Sequence, residues 1–402
     1  MAKKLVNYEE LKEFIPNNGY IENYALLTHY LEMPAGMMKM HWRDELISKY
    51  GFSLDKLDAA STFVAKKNVP FKCQENPRFT FIDLFAGIGG FRLAMQACGG
   101  QCVFSSEWDE AAKQTYYENY GEVPFGDITK DETKSFIPEK FDILCAGFPC
   151  QAFSIAGYQK GFEDVRGTLF FDIADVLEKH HPKAFFLENV KNLMNHDNGR
   201  TFSKITDILK NRLGYFIDSK ILNPCEYADV PQNRERIFII GIDPKQIKHT
   251  DELIKDGVFH FPFPQKIKLK KTIHDIINDN ESSSALFYKT DHMYYQQMKD
   301  VIINPDTVYQ WRRVYIRENK NGLCPTLTAN MGEGGHNVPI VCTSKGIRKL
   351  TPEECLGFQG FPISTGFHFP VTIPQGKKYK QAGNSVTTPL IEKVARKIVT
   401  IV

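Results

Sequence analysis

The pattern of hydrophobic and polar positions changes at residue 79, where short apolar runs begin to alternate with segments of helical periodicity. Short apolar runs bounded by glycine or polar residues are typical of strands that helices cover on both faces. We therefore predict an α/β domain with buried parallel strands. The predicted strands are 79–85, 101–106, 141–147, 183–187 and 237–241, and the predicted helices are 91–98, 169–178 and 201–213.

Residues 1–78 show helical spacing instead. Leu27, Tyr30 and Leu31 repeat at the spacing of one helix face, and Gly51 is placed to end a second helix. We predict a separate helical extension. Its role stays open between packing, wrapping of DNA and regulation.

The α/β rhythm stops at residues 243–347, which are basic, aromatic and irregular. Within them the loop 325–337 suits either close approach to a grooved partner or an ordinary hairpin. Beyond them a new helix is predicted to start. Thr351 is its N-cap, Pro352 lies in its first turn and Glu354 takes the capping-box position.

Composition places the chain among ordinary globular proteins. Its 402 residues exceed a single core, 42% are hydrophobic and 24% are charged, so we expect two or three domains. No apolar run is long enough to span a bilayer, and the N-terminus turns acidic too early for a signal peptide, so we expect a cytoplasmic location without membrane contact. Nine scattered cysteines without a CxxC pair indicate neither a disulfide framework nor a zinc site. The net charge of +2 argues neither for nor against nucleic-acid binding. The basic clusters 266–271 and 312–320 are either solvated faces or nucleic-acid contacts.

A glycine turn, residues 86–90, joins the first predicted strand to its helix. Such a turn lets a ligand approach the backbone and directs helix N–H groups at it. Glu107 follows the next strand, where an acid binds ribose hydroxyls, and Trp108 is placed to stack on an adenine. A third strand is expected to end near Asp127, whose carboxylate would accept from an adenine amino group. This order indicates an adenosine-containing cofactor, and by itself it also permits an NAD-dependent dehydrogenase.

The run Phe148-Pro149-Cys150-Gln151 follows the predicted strand 141–147. Strand ends of this kind carry the ligands and reactive groups of doubly wound proteins. Pro149 restrains Phe148 to an extended conformation and so sets the angle of the cysteine. Cys150 is therefore either a nucleophile or one more small buried residue.

Three charged residues stand near other strand ends. Glu188 leaves a buried strand, where a carboxylate is costly unless it is paired or functional. Arg234 and Arg236 have strand spacing, so we predict that both point to one face, either in a site or as a surface pair.

Taken together, these segments resemble the ordered motifs of the DNA (cytosine-5)-methyltransferases, most closely those of bacterial restriction–modification systems. The resemblance spans about residues 79–400 and is specific, because six separate motifs occur in the family's order. The motifs are Phe85-Ala86-Gly87-Ile88-Gly89-Gly90-Phe91, Gly147-Phe148-Pro149-Cys150-Gln151, Glu188-Asn189-Val190, Gln232-Asn233-Arg234-Glu235-Arg236, residues 348–362, and Gln381-Ala382-Gly383-Asn384-Ser385-Val386.

The resemblance implies a Rossmann-like sheet that binds S-adenosylmethionine and a small target-recognition domain, mostly irregular or β, with double-stranded DNA between them. The implied segments are an N-terminal helical extension (1–78), a catalytic and cofactor-binding domain (79–242), a target-recognition domain (243–347) and a C-terminal segment that returns to the catalytic domain (348–402).

The resemblance also implies the chemistry. Cys150 would attack C6 of a flipped cytosine, protonated Glu188 would bind N3 and the exocyclic amine, and Arg236 would bind O2 with Arg234 nearby. S-adenosylmethionine would give its methyl group to C5 and leave as S-adenosylhomocysteine. The implied cofactor-binding residues are Phe85, Gly87, Gly89, Glu107, Trp108, Asp127, Ile128, Pro149, Leu169, Asn384 and Ser385. The DNA-binding residues that we expect are Gln151, Ser154, Arg312, Arg313, Thr326, Thr328 and Asn330.

The resemblance implies no metal. It leads us to expect a monomer, with a possible cognate restriction endonuclease that acts on the same site. One branch of the family methylates tRNA and has a reduced recognition region, so the long segment 243–347 favours DNA. A non-catalytic DNA-binding protein would leave Cys150 without a role.

Overall fold

The apolar runs form a six-stranded sheet in the computed structural model. Its strands are β1 (Phe79–Leu84), β2 (Gly100–Ser106), β3 (Ile143–Gly147), β4 (Ala184–Val190), β5 (Phe216–Leu222) and β6 (Arg236–Ile242). They lie in the order β2-β1-β3-β4-β6-β5. The first four are parallel and β6 is antiparallel to β4, so the predicted α/β fold with a mostly parallel sheet is confirmed. The structure describes residues 8–33, 36–66, 69–149, 169–248, 250–255, 257–312, 315–332 and 337–402.

Helices surround this sheet in the first of two compact units, which comprises Met1–Ile221, Arg236–Phe263 and Val394–Val402. They are α1 (Asn23–Glu32), α2 (Met37–Ser48), α3 (Leu54–Ala65), α4 (Gly90–Ala97), α5 (Glu110–Tyr120), α6 (Asp131–Lys134), α7 (Leu169–His180) and α8 (Arg200–Asp207), with a π-helix at Ile208–Arg212 and 3₁₀ helices at Tyr8–Phe14, Lys191–Met194, His196–Gly199 and Thr250–Leu253. A short hairpin of β7 (Ile254–Lys255) and β8 (Val258–Phe259) completes the unit.

Two strand predictions differ from the structure. β5 was not predicted, because it lies at the edge of the sheet and its mostly half-buried residues mix apolar, acidic and basic types. The strand expected to end near Asp127 is wrong, because there Phe125 forms only an isolated parallel bridge with Ser106. Two backbone hydrogen bonds hold that bridge, from Phe125 N to Ser105 O (2.8 Å) and from Glu107 N to Phe125 O (2.9 Å).

The N-terminal extension is helical, as its spacing predicted, but it is not a separate body. Its Leu26 and Leu46 are fully buried in the same hydrophobic core as Phe104 of β2 and Phe125. Burial of apolar side chains at about 25 cal/mol per Å² makes such a shared core a strong attachment. Of the three roles that the sequence left open, packing is present.

The second unit comprises Leu222–Glu235 and Pro264–Lys393. Its antiparallel sheet contains β9 (Tyr309–Arg312), β10 (Tyr315–Glu318), β11 (Ile340–Thr343) and β12 (Gly346–Lys349) in the order β10-β9-β11-β12. Its helices are α9 (Pro224–Tyr227), α10 (Tyr295–Lys299), α11 (Pro352–Phe358), α12 (Gln375–Asn384) and α13 (Thr388–Val399), whose last residues belong to the first unit, with 3₁₀ turns at Ile273–Asp275, Ala329–Gly332 and Ile363–Thr365. The four-segment division made from the sequence stays a prediction.

The predicted start of α11 is confirmed in detail. Thr351 Oγ1 accepts from Glu354 N at 2.9 Å, and Glu354 Oε2 accepts from Thr351 N at 2.7 Å. Pro352 occupies the first helical turn, where its missing N–H costs nothing. No helix in the described part of the chain has both the length and the apolar character that a bilayer crossing requires.

Candidate active site

The glycine turn after β1 leaves its backbone open on one side. Gly87 has φ +56°, and a Cβ added there would meet no atom within 4 Å. Gly89 has φ +82°, and a Cβ there would lie 2.3 Å from the Tyr120 ring, whose hydroxyl donates to Gly89 O at 2.7 Å. Phe85 also has a positive φ of 58°. Tyr120 therefore closes one side of the turn, and the side at Gly87 is accessible to a ligand.

Glu107 connects this turn to the end of β2. Its Oε2 accepts from Gly87 N at 2.8 Å and its Oε1 from Asp109 N at 2.7 Å. The side chain is buried, which raises the pKa of the Glu107 carboxyl, and hydrogen bonds from the backbone N–H groups of Asp109, Gly87 and Trp108 oppose that rise. Trp108 beside it is 76% exposed, which is unusual for so large an apolar side chain.

The bridged segment after Phe125 brings Asp127 to the same end of the sheet. Glu107 N donates to Phe125 O, so the two segments run side by side at this point. Asp127 Oδ1 accepts from Thr129 N at 3.0 Å, and Ile128 is buried. A buried carboxylate, an open glycine and an exposed indole therefore border one edge, and this donor and acceptor set fits the adenosine part of S-adenosylmethionine.

The ends of β3 and β4 lie side by side. Gly147 pairs with Glu188 in the parallel register, and Asn189 Nδ2 donates to Phe148 O at 2.8 Å. That buried bond anchors the backbone immediately before the exposed Pro149. From the sequence we predict a role for the neighbouring Glu188 and none for Asn189.

Glu188 forms an ion pair with Arg236. Arg236 Nε lies 3.1 Å from Glu188 Oε1, and the two side chains are only 14% and 10% exposed. The antiparallel register of β4 and β6, which pairs Val190 with Arg236, brings the two together. Burial lowers the pKa of the Arg236 guanidinium, and Glu188 opposes that change.

The prediction that Arg234 and Arg236 share a strand face is wrong, because β6 begins only at Arg236. Arg234 is buried in the second unit. Its Nη1 donates to Leu327 O at 2.7 Å, and its Nη2 donates to Ser385 O at 2.7 Å and to Gly383 O at 3.2 Å. A guanidinium bound to three carbonyls holds loops together, and spacing alone gave no sign of this.

Two cofactor candidates, Asn384 and Ser385, lie at the end of α12 in the second unit. Ser385 Oγ donates to Gln381 O at 2.9 Å, and Arg234 binds the Ser385 carbonyl. A Cβ at Gly383 would lie 2.2 Å from the backbone of Thr328, so only glycine fits there. Leu169, the other candidate not yet placed, is half-buried at the start of α7.

A polar cavity of about 270 Å³ lies within the second unit. Three of the predicted DNA-binding residues line it, namely Arg312, Thr326 and Thr328. Asn330 lies in the following 3₁₀ turn, and its carbonyl accepts from Asn337 Nδ2 at 3.3 Å. Other lining residues were not assigned to DNA from the sequence, although Arg317 belongs to the basic cluster 312–320 and two others belong to the loop 325–337. They are Asn233, Gln310, Trp311, Arg317, Asn319, Pro325 and Asn337.

Alternation along β9 and β10 was the signal that could have found two of these residues. Gln310 and Arg312 share one face of β9, and Arg317 pairs with Gln310 across the ladder. Arg312 Nη2 donates to Gln310 Oε1 at 3.1 Å. The predicted residues Cys150, Gln151, Ser154 and Arg313 lie outside the described residues.

Comparison with known proteins matches this chain to one family. The family model of the C-5 cytosine-specific DNA methylases matches residues 79–400. The chain is 44% identical over 353 residues to the Type II methyltransferase M.HpaII of Haemophilus parainfluenzae, covering 82% of this chain and 92% of that protein. It is 40% identical over 331 residues to the Type II methyltransferase M.HhaI of Haemophilus parahaemolyticus, covering 79% and 93%.

Solved structures support the fold. The Entamoeba histolytica methyltransferase EhMeth superposes with a TM-score of 0.58 at 17% identity, over 80% of this chain and 98% of that one. The Dnmt2 methyltransferase of S. pombe gives a TM-score of 0.55 at 18% identity, over 81% and 98%. At these identities the likeness concerns the fold alone.

Proposed function

Because this chain belongs to the C-5 cytosine-specific DNA methylase family and is a DNA (cytosine-5)-methyltransferase, we propose that it modifies one cytosine within a short specific sequence of double-stranded DNA, using S-adenosylmethionine. The observation that carries the proposal is the buried ion pair of Glu188 and Arg236 next to the strand end that leads to Pro149 and Cys150. The pair lies at the carboxyl end of a parallel strand, which is where α/β proteins carry their reactive and ligand-binding groups.

The proposed reaction starts with the Cys150 thiolate. Its sulfur forms a bond to C6 of cytosine, and the ring electrons move so that C5 becomes nucleophilic. Bound S-adenosylmethionine would supply an electrophilic methyl group, and its bond from sulfur to the methyl carbon would break as C5 takes the methyl group, which leaves S-adenosylhomocysteine. A base then removes the C5 proton, and the electrons of that C–H bond restore the ring double bond as the bond between Cys150 and C6 breaks. This regenerates the Cys150 thiolate.

Glu188 and Arg236 stabilise the charge that develops on the ring. Glu188 Oε1 faces Arg236, and we assign its other oxygen to the base, where a proton taken up by Glu188 is shared with N3. The same carboxyl accepts from the exocyclic amine, which selects cytosine over thymine. Arg236 is assigned to O2. The attacked atom is inaccessible inside a stacked duplex, so the base is flipped out first.

The cofactor would bind at the edge formed by the glycine turn, Glu107 and Asp127. Glu107 is assigned to the ribose hydroxyls, Trp108 to the adenine face and Asp127 to the adenine amine. Backbone N–H groups of Gly87 and Asp109 hold the Glu107 carboxylate in place, which orients it for the ribose. We assign the remaining contacts to Phe85, Gly87, Gly89, Ile128, Pro149, Leu169, Asn384 and Ser385.

DNA is assigned to the polar cavity of the second unit, whose amide and guanidinium groups match the hydrogen-bonding edges of bases. To the predicted residues Gln151, Ser154, Arg312, Arg313, Thr326, Thr328 and Asn330 we add Gln310 and Arg317. Arg234 is assigned to bracing these loops. The relatives are Type II methyltransferases, so we also propose a cognate restriction endonuclease, and we propose that the enzyme acts as a monomer.

Transfer of labelled methyl to DNA from a methylation-free host, followed by bisulfite sequencing, tests the activity. One modified cytosine in one short motif is expected. Duplex DNA with 5-fluorocytosine at that position tests the covalent step, because fluorine cannot leave as a proton. The wild-type protein should form a denaturation-resistant adduct and Cys150→Ala should form none. Labelling of tRNA in place of DNA would contradict the substrate, and an adduct with Cys150→Ala would contradict the nucleophile.

A further inference from the structure

The N-terminal extension contacts the catalytic domain with polar side chains as well as apolar ones. Both oxygens of Glu22 lie within hydrogen-bond distance of Gly126 N, at 3.1 and 3.2 Å. Thr28 Oγ1 accepts from Val123 N at 2.9 Å. In each case a side chain of the extension satisfies a backbone N–H in the segment that leads to Asp127.

A third contact reaches the neighbouring strand. Ser105 N donates to His29 Nε2 at 3.2 Å, at the end of β2 just before Glu107. His29 Nδ1 lies 2.9 Å from Ala25 O, so the ring donates there and keeps Nε2 as the acceptor. The His29 ring also packs against Phe125, with 4.6 Å between ring centroids.

The bonds that Thr28 and His29 accept lie in the interior, where water is not available to replace them, whereas the contact of Glu22 with Gly126 N is partly buried. Thr28 and Ser105 are fully buried, and His29 and Val123 are nearly so. A buried backbone N–H without an acceptor carries its full desolvation penalty. The backbone must therefore shift if the acceptor is removed.

Gly126 has no side chain to obstruct the contact with Glu22. A Cβ at that position would lie 2.7 Å from Glu22 Oε1, closer than non-bonded atoms approach. Gly126 directly precedes Asp127, and the adjoining Phe125 carbonyl binds Glu107 N. The extension thus contacts the backbone on both sides of the bridge that sets Glu107 and Asp127.

We propose that the N-terminal extension is a positioning element of the adenosine pocket, and that Glu22, Thr28 and His29 act through the backbone at 105 and 123–126. This inference rests on the proposed assignment of Glu107, Trp108 and Asp127 to the cofactor. The matched family region starts at residue 79, so Glu22, Thr28 and His29 lie in a part of this chain that the family model does not include.

Paired substitutions test the inference. Thr28→Val keeps the shape of the side chain and removes the acceptor, whereas Thr28→Ser keeps the hydroxyl acceptor and loses only a methyl group. Loss of the bond should raise the dissociation constant of S-adenosylhomocysteine, measured by isothermal titration calorimetry, roughly three- to tenfold. In Thr28→Val the KM for S-adenosylmethionine should rise by a similar factor with kcat close to wild type, and Thr28→Ser should behave as wild type.

Glu22 provides an independent pair if Thr28→Val does not fold. Glu22→Gln keeps an oxygen for Gly126 N, and Glu22→Ala removes it, so only the alanine variant should bind S-adenosylhomocysteine more weakly. Ser53→Ala is the matched control, because Ser53 caps α3 within the extension by accepting from Lys56 N. It should lower the stability of the extension and leave cofactor affinity unchanged.

The outcomes separate the two proposals. The positioning role is overturned if Thr28→Val or Glu22→Ala binds S-adenosylhomocysteine as tightly as wild type, or if Ser53→Ala weakens binding equally. In that case, weak binding of S-adenosylhomocysteine by Asp127→Ala still supports the cofactor assignment. If Trp108→Ala and Asp127→Ala bind S-adenosylhomocysteine as tightly as wild type, the cofactor assignment is wrong, and the positioning role falls with it.

Discussion

Arg236 and Glu188 form an ion pair across two antiparallel strands, with 3.1 Å between Nε and Oε1. The pair is mostly buried, so its geometry is set by the register of β4 and β6 rather than by solvent. A carboxyl held in this way is preorganised for a base that enters beside it.

Glu188→Gln should lower kcat about 10²- to 10³-fold, because the amide cannot supply a proton to N3 of cytosine. DNA affinity, measured by fluorescence anisotropy, should stay near wild type. Glu178→Gln is the control, since Glu178 pairs with Arg212 on the surface. A wild-type turnover rate in Glu188→Gln would remove Glu188 from the proposed mechanism.

Arg234→Lys should act on stability. The lysine cannot reproduce the three hydrogen bonds to Leu327, Gly383 and Ser385, and the loss should lower the free energy of unfolding by about 2–4 kcal/mol. Urea titration measures the change, and the exposed Arg212→Lys should shift it little. An unchanged unfolding curve together with lost turnover would mean that Arg234 acts directly in catalysis.

Arg317→Gln should reduce discrimination between the target sequence and single-base variants. Arg317 lines the polar cavity beside Gln310, and one arginine contact to a base is worth about 1–3 kcal/mol, or roughly 5- to 150-fold in specificity. The measurement is kcat/KM on matched duplexes that differ at one position. Lys320→Gln removes the same charge from an exposed position that does not line the cavity.

Lys320→Gln should weaken binding to all sequences alike or leave it unchanged. Equal loss of specificity in the two variants would show that Arg317 contributes charge and not base readout.

Stability should fall as the pH drops from about 8 to about 6, and His29 should account for part of the change. Burial lowers the pKa of His29 below its usual value, although Glu122 at 3.2 Å opposes this, and Arg92 lowers it further. The unfolded chain therefore takes up the proton first, near pH 6.5, and proton uptake favours unfolding. The loss of stability begins near the pKa of His29 in the unfolded chain and levels off below the pKa of His29 in the folded protein.

Urea midpoints at both pH values for wild type and His29→Gln measure the contribution of His29, because the other histidines are the same in the two proteins. The difference between the two midpoints should be smaller in the variant. Burial opposes ionisation of Glu122, but Arg92 and His29 together lower its pKa, so Glu122 stays charged in this range. Equal pH dependence in both proteins would contradict the assignment to His29.

Local sequence patterns predicted much of the fold. The apolar runs of β1, β3, β4 and β6 predicted strands because helices cover them, and the Thr351 and Glu354 capping box predicted where α11 begins. β5 was missed because an edge strand need not be uniformly apolar. The supposed strand before Asp127 was wrong because a single bridge has the same local pattern as a strand end.

In the candidate site, too, the sequence identified some residues, but only the structure showed their contacts. Motif order was enough to select Glu107, Trp108 and Glu188, because each follows a recognisable strand. Partners were not predictable: the bond from Asn189 to Phe148 and the binding of Arg234 to three carbonyls depend on which segments meet.

The sequence by itself determined the strand and helix types, the family and the residues proposed for the chemistry, because these depend on periodicity and on motifs local to the chain. Only the tertiary structure decided that Arg236 pairs with Glu188, that Arg234 binds three carbonyl groups, and that Glu22 and Thr28 bind the backbone that leads to Asp127. The physical reason is that a hydrogen bond requires atoms within about 3 Å. For residues far apart in the chain, the packing of strands and helices sets that distance, and local pattern does not.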